Sequence, residues 1–156
     1  MSQTSLLADQ IRRAFDGEAW HGDSLNELLK GVTAKTAAAR PIKNAHTIWE
    51  LLLHIAAWDD AVIRRIHGKA FMPTDAENFP AVTDTSEAAW QRTIENVRRK
   101  HYELVEAVAA FPDLRLGEKV PGKEPGYYNF YYMLSGIVQH ELYHAGQIAL
   151  LKKSAA

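Results

Sequence analysis

The residues with the clearest chemical potential are two histidines in the run His140-Glu141-Leu142-Tyr143-His144. Histidines four positions apart lie on one face of a helix, with Cβ atoms about 5–6 Å apart. Both imidazoles can then reach one metal ion at the usual distance of about 2.0–2.1 Å. Zinc metalloproteases use the same pattern, with the glutamate as general base. The run predicts His140 and His144 as metal ligands and Glu141 as a candidate catalytic base, unless its side chain faces a neighbouring helix or solvent.

The rest of the chain does not fit a metalloprotease. The longer protease motif requires a glycine and a third histidine after the second histidine, and Gln147 and Leu150 hold those positions. Only 12 residues follow His144, so a later ligand has little room. No predicted sheet is available to line an extended peptide. Gln147 is instead a candidate to hydrogen-bond a ligand ring or a substrate.

A third ligand must then come from earlier in the chain, and His54 is the best candidate. It interrupts an otherwise apolar stretch of a predicted helix, where a buried imidazole needs a polar partner or a metal. His101 competes, because it occupies a core position on another helix. It is a fourth ligand, a hydrogen-bond donor behind the ligands, or a core histidine. Asp59 and Asp60 follow His54 on the same helix. One of them could orient a ligand ring, but both are expected to be exposed to solvent.

Three neutral histidines with an open coordination position are typical of a catalytic metal site rather than a closed structural one. A divalent ion in such a site lowers the pKa of a bound water towards about 7. It can equally deprotonate a bound thiol. The residues alone do not decide between these two nucleophiles.

Four main helices, the first of them short, are predicted to position these residues. They run from Leu6 to Phe15, from about Thr47 to His67, from the cap Asp84 to Phe111, and from about Asn129 to Lys153. Apolar residues recur at intervals of three and four in these segments, as in a bundle core. A short piece capped by Ser24 follows the first helix, and no segment shows the alternation of a strand.

The predicted fold class is therefore all-α: a four-helix bundle with long connections and a short extra helix after the first helix. The two longest connections, residues 68–84 and 112–128, could each cross the length of the bundle, so strict up-down-up-down order is not required. With 156 residues and no internal repeat, residues 1–156 are expected to form a single domain.

Composition excludes several classes of protein. Apolar residues make up 47% and charged residues 24% of the chain, an ordinary globular balance that excludes general disorder. The formal charge of −1 argues against a nucleic-acid partner, and no apolar run is long enough for a membrane helix. The absence of cysteine excludes disulfides and zinc-thiolate sites. Without a recognisable secretory signal, a cytoplasmic location is expected.

Three segments together resemble a known family. They are Trp20-His21-Gly22-Asp23-Ser24-Leu25 with Gly31-Val32-Thr33 and Ala39-Arg40-Pro41, then His46-Thr47-Ile48-Trp49-Glu50-Leu51-Leu52-Leu53-His54-Ile55, and finally His140-Glu141-Leu142-Tyr143-His144-Ala145-Gly146-Gln147-Ile148. In this order they resemble the DinB-like superfamily of helical-bundle metalloproteins. The resemblance implies a four-helix bundle that holds one divalent metal ion with His54, His140 and His144.

The same resemblance implies zinc or nickel as the usual ion, with manganese or iron as alternatives, and a homodimer. It implies a small-molecule substrate in a cleft above the metal. Relatives include thiol-dependent transferases and isomerases, which use low-molecular-weight thiols, and proteins described only as metal-dependent hydrolases, so the family does not fix the reaction. The alternative is a non-enzymatic dimeric bundle, a binding or stress-response protein whose metal site is structural or vestigial.

Overall fold

Four long helices make up about half of the chain in a computed structural model, which describes residues 1–155. The helices are α1 (Gln3–Phe15), α2 (Leu25–Leu29), α3 (Ala34–Ala38), α4 (Ile48–Ile66), α5 (Asp75–Asn78), α6 (Glu87–Ala109) and α7 (Phe130–Ser154). Within residues 1–155, two isolated bridges are the only β pairing. The predicted all-α class is confirmed, with α2 as the expected short extra helix and α3 as a second one.

The four long helices surround the core in the order α1, α6, α4, α7, because α1 and α4 each pack against both α6 and α7. Helix α1 runs antiparallel to α6. The Asp113 carboxylate, just beyond the end of α6, accepts hydrogen bonds near the start of α1 from the Thr4 backbone N–H at 3.0 Å and the Thr4 hydroxyl at 2.8 Å. A residue distant in sequence therefore satisfies N–H groups that the first turn of a helix leaves unpaired.

Helices α4 and α6 are neighbours that run in the same direction. Trp49 Nε1 donates a hydrogen bond to Thr93 Oγ1 at 3.1 Å near the start of both helices. Further along both helices, the Lys100 ammonium donates to the Asp60 carboxylate at 3.1 Å. The connection between them, residues 67–86, must therefore return along the length of the bundle.

The connection between α6 and α7 does not cross the bundle. The rings of Phe111, after the end of α6, and Phe130, at the start of α7, pack with centroids 4.6 Å apart. Residues 110–129 therefore turn at one end. Of the two connections expected to be able to cross, only the first does so, and the helices do not alternate in direction.

Local capping sets the starts of the two helices that carry the predicted ligands. Thr47 Oγ1 accepts a hydrogen bond from the Glu50 N–H at 3.1 Å, and the Glu50 carboxylate accepts one from the Thr47 N–H at 2.8 Å. This reciprocal pair is a capping box. At the start of α7, Asn129 Oδ1 accepts from the Tyr132 N–H at 2.8 Å. Both helices begin within one residue of the predicted positions.

Helix α6 begins later than predicted. Its cap is Ser86, whose Oγ accepts from the Ala89 N–H at 3.2 Å. Asp84, the predicted cap, instead accepts a hydrogen bond from the Ser86 N–H at 2.9 Å. The aspartate therefore stabilises the turn before the helix, and Glu87 is the first helical residue.

The connection between α4 and α6 contains a short helix, α5. Thr74 and Glu77 form a capping box at its start: Thr74 Oγ1 accepts from the Glu77 N–H at 3.3 Å, and the Glu77 carboxylate accepts from the Thr74 N–H at 2.8 Å. Helix α5 packs against α4. Its last residue, Asn78, consequently lies over the middle of α4.

The core consists of two apolar clusters, one towards each end of the bundle. Trp90 is fully buried in the first, where its Nε1 donates to the Val32 carbonyl at 2.8 Å and its ring lies 5.0 Å from that of Trp49. Among the helices of residues 1–155, none combines the length and the apolar character needed to cross a membrane.

Candidate metal centre

Three histidines from two helices converge on one point between α4 and α7. His140 Nε2 lies 3.0 Å from His54 Nε2 and 3.2 Å from His144 Nε2. All three nitrogens are within 4.8 Å of one another. The structure thus brings together the three ligands predicted from the sequence, with His54 and His144 buried and His140 partly buried.

Residues 67–86, the connection that crosses the bundle, fix the His54 ring. Its Nδ1 donates a hydrogen bond to the Asn78 carbonyl oxygen at 3.0 Å. Phe79 stacks on the ring with a centroid distance of 4.2 Å and stacks equally on His46 at 3.9 Å. Because Nδ1 carries the hydrogen, the lone pair of His54 is on Nε2, which faces the other two histidines.

His144 is oriented from within its own helix. Its Nδ1 donates to Gln147 Oε1 at 2.7 Å, so its Nε2 also presents a lone pair to the centre. Gln147 therefore hydrogen-bonds a ligand ring, which is one of the two roles predicted for it from the sequence. His140 Nδ1, in contrast, is buried and has no hydrogen-bond partner within residues 1–155.

This arrangement fits a divalent cation. The lone pairs of His54 and His144 both point at His140 Nε2, and a single hydrogen there can satisfy only one of them. A cation satisfies all three nitrogens. Tetrahedral coordination with bonds of about 2.0–2.1 Å requires nitrogens about 3.3–3.4 Å apart. The two pairs that include His140 are close to this spacing, at 3.0 and 3.2 Å, and all three nitrogens lie within 4.8 Å of one another.

The electrostatics also favour neutral imidazoles. Burial, followed by the neighbouring His144 and His54, lowers the pKa of His140 to about 3. Burial is likewise the main cause that lowers the pKa of His54 and of His144. At neutral pH all three rings are therefore uncharged, and protons compete little with a metal for the three nitrogens.

A cavity of about 370 Å³ opens beside the three histidines. Its walls are mainly aromatic and aliphatic side chains from α4, α7 and the segment before α7: Trp58, Val62, Tyr128, Tyr132, Met133, Ile137 and Tyr143. Few polar groups interrupt these walls, apart from Asn78 and Arg65. An apolar cavity with a few convergent polar groups is typical of a small-molecule site.

Glu141 does not line this cavity. Its side chain is buried, with one carboxylate oxygen 3.8 Å from His101 Nδ1, too far for a hydrogen bond. Neither oxygen has a hydrogen-bond partner within residues 1–155. Burial, followed by the charge of Asp59, raises the pKa of Glu141 well above its ordinary value. Catalysis by Glu141 stays a prediction, and these contacts give it no support.

His101 is a core histidine in this structure. Its Nε2 donates to the Ile11 carbonyl at 3.1 Å, and its Nδ1 lies 3.3 Å from the Asp59 carboxyl group. Both nitrogens are thereby engaged away from the three-histidine centre. Asp59, expected to be exposed, is 1% exposed. That expectation was wrong because Asp59 lies on the buried face of α4 opposite His101.

Sequence reasoning missed the part of the site that comes from the crossing connection, including Asn78 and Phe79. The available signal was the pattern Thr74-Asp75-Ala76-Glu77, which has the spacing of a capping box. It marks a helical turn between two prolines, but no local pattern shows that this turn packs on His54.

The fold and the site together define an all-helical bundle whose core holds a three-histidine group suited to a metal ion. A family model described as the DinB superfamily matches residues 19–148, most of the chain, so the protein belongs to that superfamily. The family predicted from the three sequence segments is thereby confirmed. Searches of curated proteins and of solved structures found no match.

Proposed function

We propose that this protein is a metal-dependent enzyme that acts on a small molecule, with one divalent ion held by His54, His140 and His144. One observation carries the proposal. The Nε2 atoms of three neutral imidazoles converge at the side of an open, mainly aromatic cavity. A purely structural metal site has no need of such a cavity, whereas a catalytic one requires an open coordination position.

When bound, the ion supplies Lewis acidity that activates a water or a small thiol for attack on an electrophilic substrate. The chain's own residues prepare the site for this chemistry. Asn78 and Gln147 hold the rings of His54 and His144 with Nε2 towards the centre. Trp58, Tyr132 and Tyr143 provide the walls that orient an apolar substrate and reduce the access of bulk water.

Hydrolysis and thiol transfer are the two reaction classes to test. Untagged protein is loaded with zinc or with nickel and assayed against nitrophenyl esters, amides and phosphate esters. The parallel assay uses a low-molecular-weight thiol with an aryl chloride as electrophile. Turnover that His140→Ala abolishes and Gln139→Ala leaves unchanged supports the proposal, because Gln139 is an exposed residue on the same helix.

The competing function is a dimeric binding protein whose metal only stabilises the bundle. It predicts that His54→Ala and His144→Ala lower the melting temperature far below that of the wild type while no substrate panel responds. A stable metal-free protein together with metal-dependent turnover contradicts it. The homodimer and the cytoplasmic location are further predictions, which sedimentation equilibrium and fractionation of cells would test.

A further inference from the structure

A buried arginine in the cavity wall lacks a negatively charged partner. Arg65 is 0% exposed and lines the cavity beside the three histidines. Its Nε donates to the Phe71 carbonyl at 2.9 Å, and its Nη2 contacts the Met72 sulfur at 3.4 Å. Its Nη1 has no hydrogen-bond partner within the described part of the chain. No carboxylate is among these contacts, although a buried charge ordinarily needs one.

A second cation strengthens the positive field at this end of the cavity. Lys123 is partly buried, and its ammonium lies 5.0 Å from the ring centroid of Tyr128, which lines the cavity. Burial and the nearby charge of Arg65 both lower the pKa of Lys123. Lys123 thus places a second positive charge against a side chain of the cavity wall.

The position of Arg65 relative to the histidines defines a distance that a ligand must span. The Trp58 ring is close to both: the Arg65 Cζ is 5.5 Å from a Trp58 ring centroid, and the His140 ring centroid is 5.7 Å from Trp58. The guanidinium and the His140 ring are therefore no more than about 11 Å apart. A short, partly apolar molecule can contact both.

We infer that Arg65 binds the carboxylate of a small substrate whose other end reaches the three-histidine centre, an inference that rests on the proposed function. A guanidinium presents a planar fork of N–H donors that matches a carboxylate. Nη1 is the free donor in this fork. Met72, whose sulfur contacts Nη2, is 60% exposed and unbranched, so it can move to admit a ligand.

Matched hydroxamates test this inference, because a hydroxamate occupies the metal and leaves the rest of the ligand in the cavity. The probes are the monohydroxamates of succinate, glutarate and adipate, each paired with the neutral alkyl hydroxamate of the same chain length. Calorimetry measures their binding to the zinc-loaded full chain and to its Arg65→Met, Arg65→Lys and Arg64→Met variants. Arg64 is the control, since it pairs with Asp60 at 2.7 Å outside this cavity.

For at least one chain length, the carboxylate probe should bind the wild type about 10- to 100-fold more tightly than its neutral partner. Arg65→Met should abolish this preference, Arg65→Lys should retain part of it, and Arg64→Met should leave it intact. The zinc content and the melting temperature of each variant test whether the metal site and the fold persist. If Arg65→Met fails to fold, Arg65→Lys still tests the role of Arg65.

The outcomes separate the inference from the proposed function. Equal binding of both probes by the wild type, or a preference that survives Arg65→Met, overturns the role of Arg65 but leaves an accessible metal. Binding of the carboxylate probe alone, lost in Arg65→Met, supports Arg65 and contradicts an open metal position. Failure of both probes to bind overturns both proposals.

Discussion

Replacing Gln147 by alanine should weaken metal binding without removing a ligand. Gln147 Oε1 accepts a hydrogen bond of 2.7 Å from His144 Nδ1, and this contact holds Nε2 of His144 towards the centre. Loss of a group that orients a metal-bound histidine typically weakens binding about 10- to 100-fold, or about 1.4–2.7 kcal/mol. The short distance and the burial of His144 favour the upper half of this range.

The assay is a competition titration of zinc between the protein and a chromophoric chelator. Gln139→Ala is the matched control, because Gln139 is an exposed glutamine on the same helix and makes no hydrogen bond to the three histidines. Gln147→Glu should bind zinc at least as tightly as the wild type, since a carboxylate is a stronger acceptor for the imidazole N–H. Equal zinc affinity for Gln147→Ala and Gln139→Ala would show that the orientation of His144 does not depend on this contact.

Three further predictions concern the fold. Trp90→Phe should lower the free energy of unfolding by about 1–3 kcal/mol in urea titrations, because it leaves the buried Val32 carbonyl without its donor; an unchanged midpoint would contradict this. Thr47→Ala should cost about 1 kcal/mol by removing the oxygen that accepts the Glu50 N–H, and Thr47→Ser should restore it. The backbone N–H groups at the start of α1 lower the pKa of Asp113, so its stabilising effect is present above about pH 4 and is lost as the pH falls. The difference in melting temperature between wild type and Asp113→Asn should therefore be larger at neutral pH than at about pH 3, and a constant difference would count against the carboxylate.

The ligand pair on α7 is visible in the sequence because it depends only on helical spacing. His140 and His144 must share a face whatever the rest of the chain does. His54 is visible for a different reason, since a polar ring in an apolar helix needs a partner. The meeting of His54 with His140 and His144 across the bundle is a tertiary contact. It could be inferred from the expected burial of His54, but no sequence spacing links the two helices.

Asp59 was expected to be exposed, although its position in the sequence already indicated burial. Asp59 lies four residues after Ile55 and three before Val62, within the same three-and-four repeat that forms the apolar stripe of α4. Its polarity suggested solvent, but its position in the repeat predicts the core. Glu141 follows Ile137 by four residues in the same way, and both carboxyl groups are buried.

The contact of residues 67–86 with the metal centre could not be predicted from local sequence patterns. Asn78 binds His54 only because α4 and α6 are parallel and residues 67–86 return along the bundle. The sequence shows that this connection is long but not which helices it passes. Arg65 similarly looks like one of two adjacent exposed arginines, and only packing shows that it is buried while Arg64 is partly exposed.

Metal content tests the central proposal most directly. Inductively coupled plasma mass spectrometry is applied to untagged wild-type protein and to the His54→Ala/His140→Ala/His144→Ala triple variant, after incubation with zinc, nickel or manganese and removal of free metal. The structure predicts about one divalent ion per chain in the wild type and none in the triple variant. A wild type that retains no metal under any of these conditions would contradict the proposal that these three histidines form a metal centre.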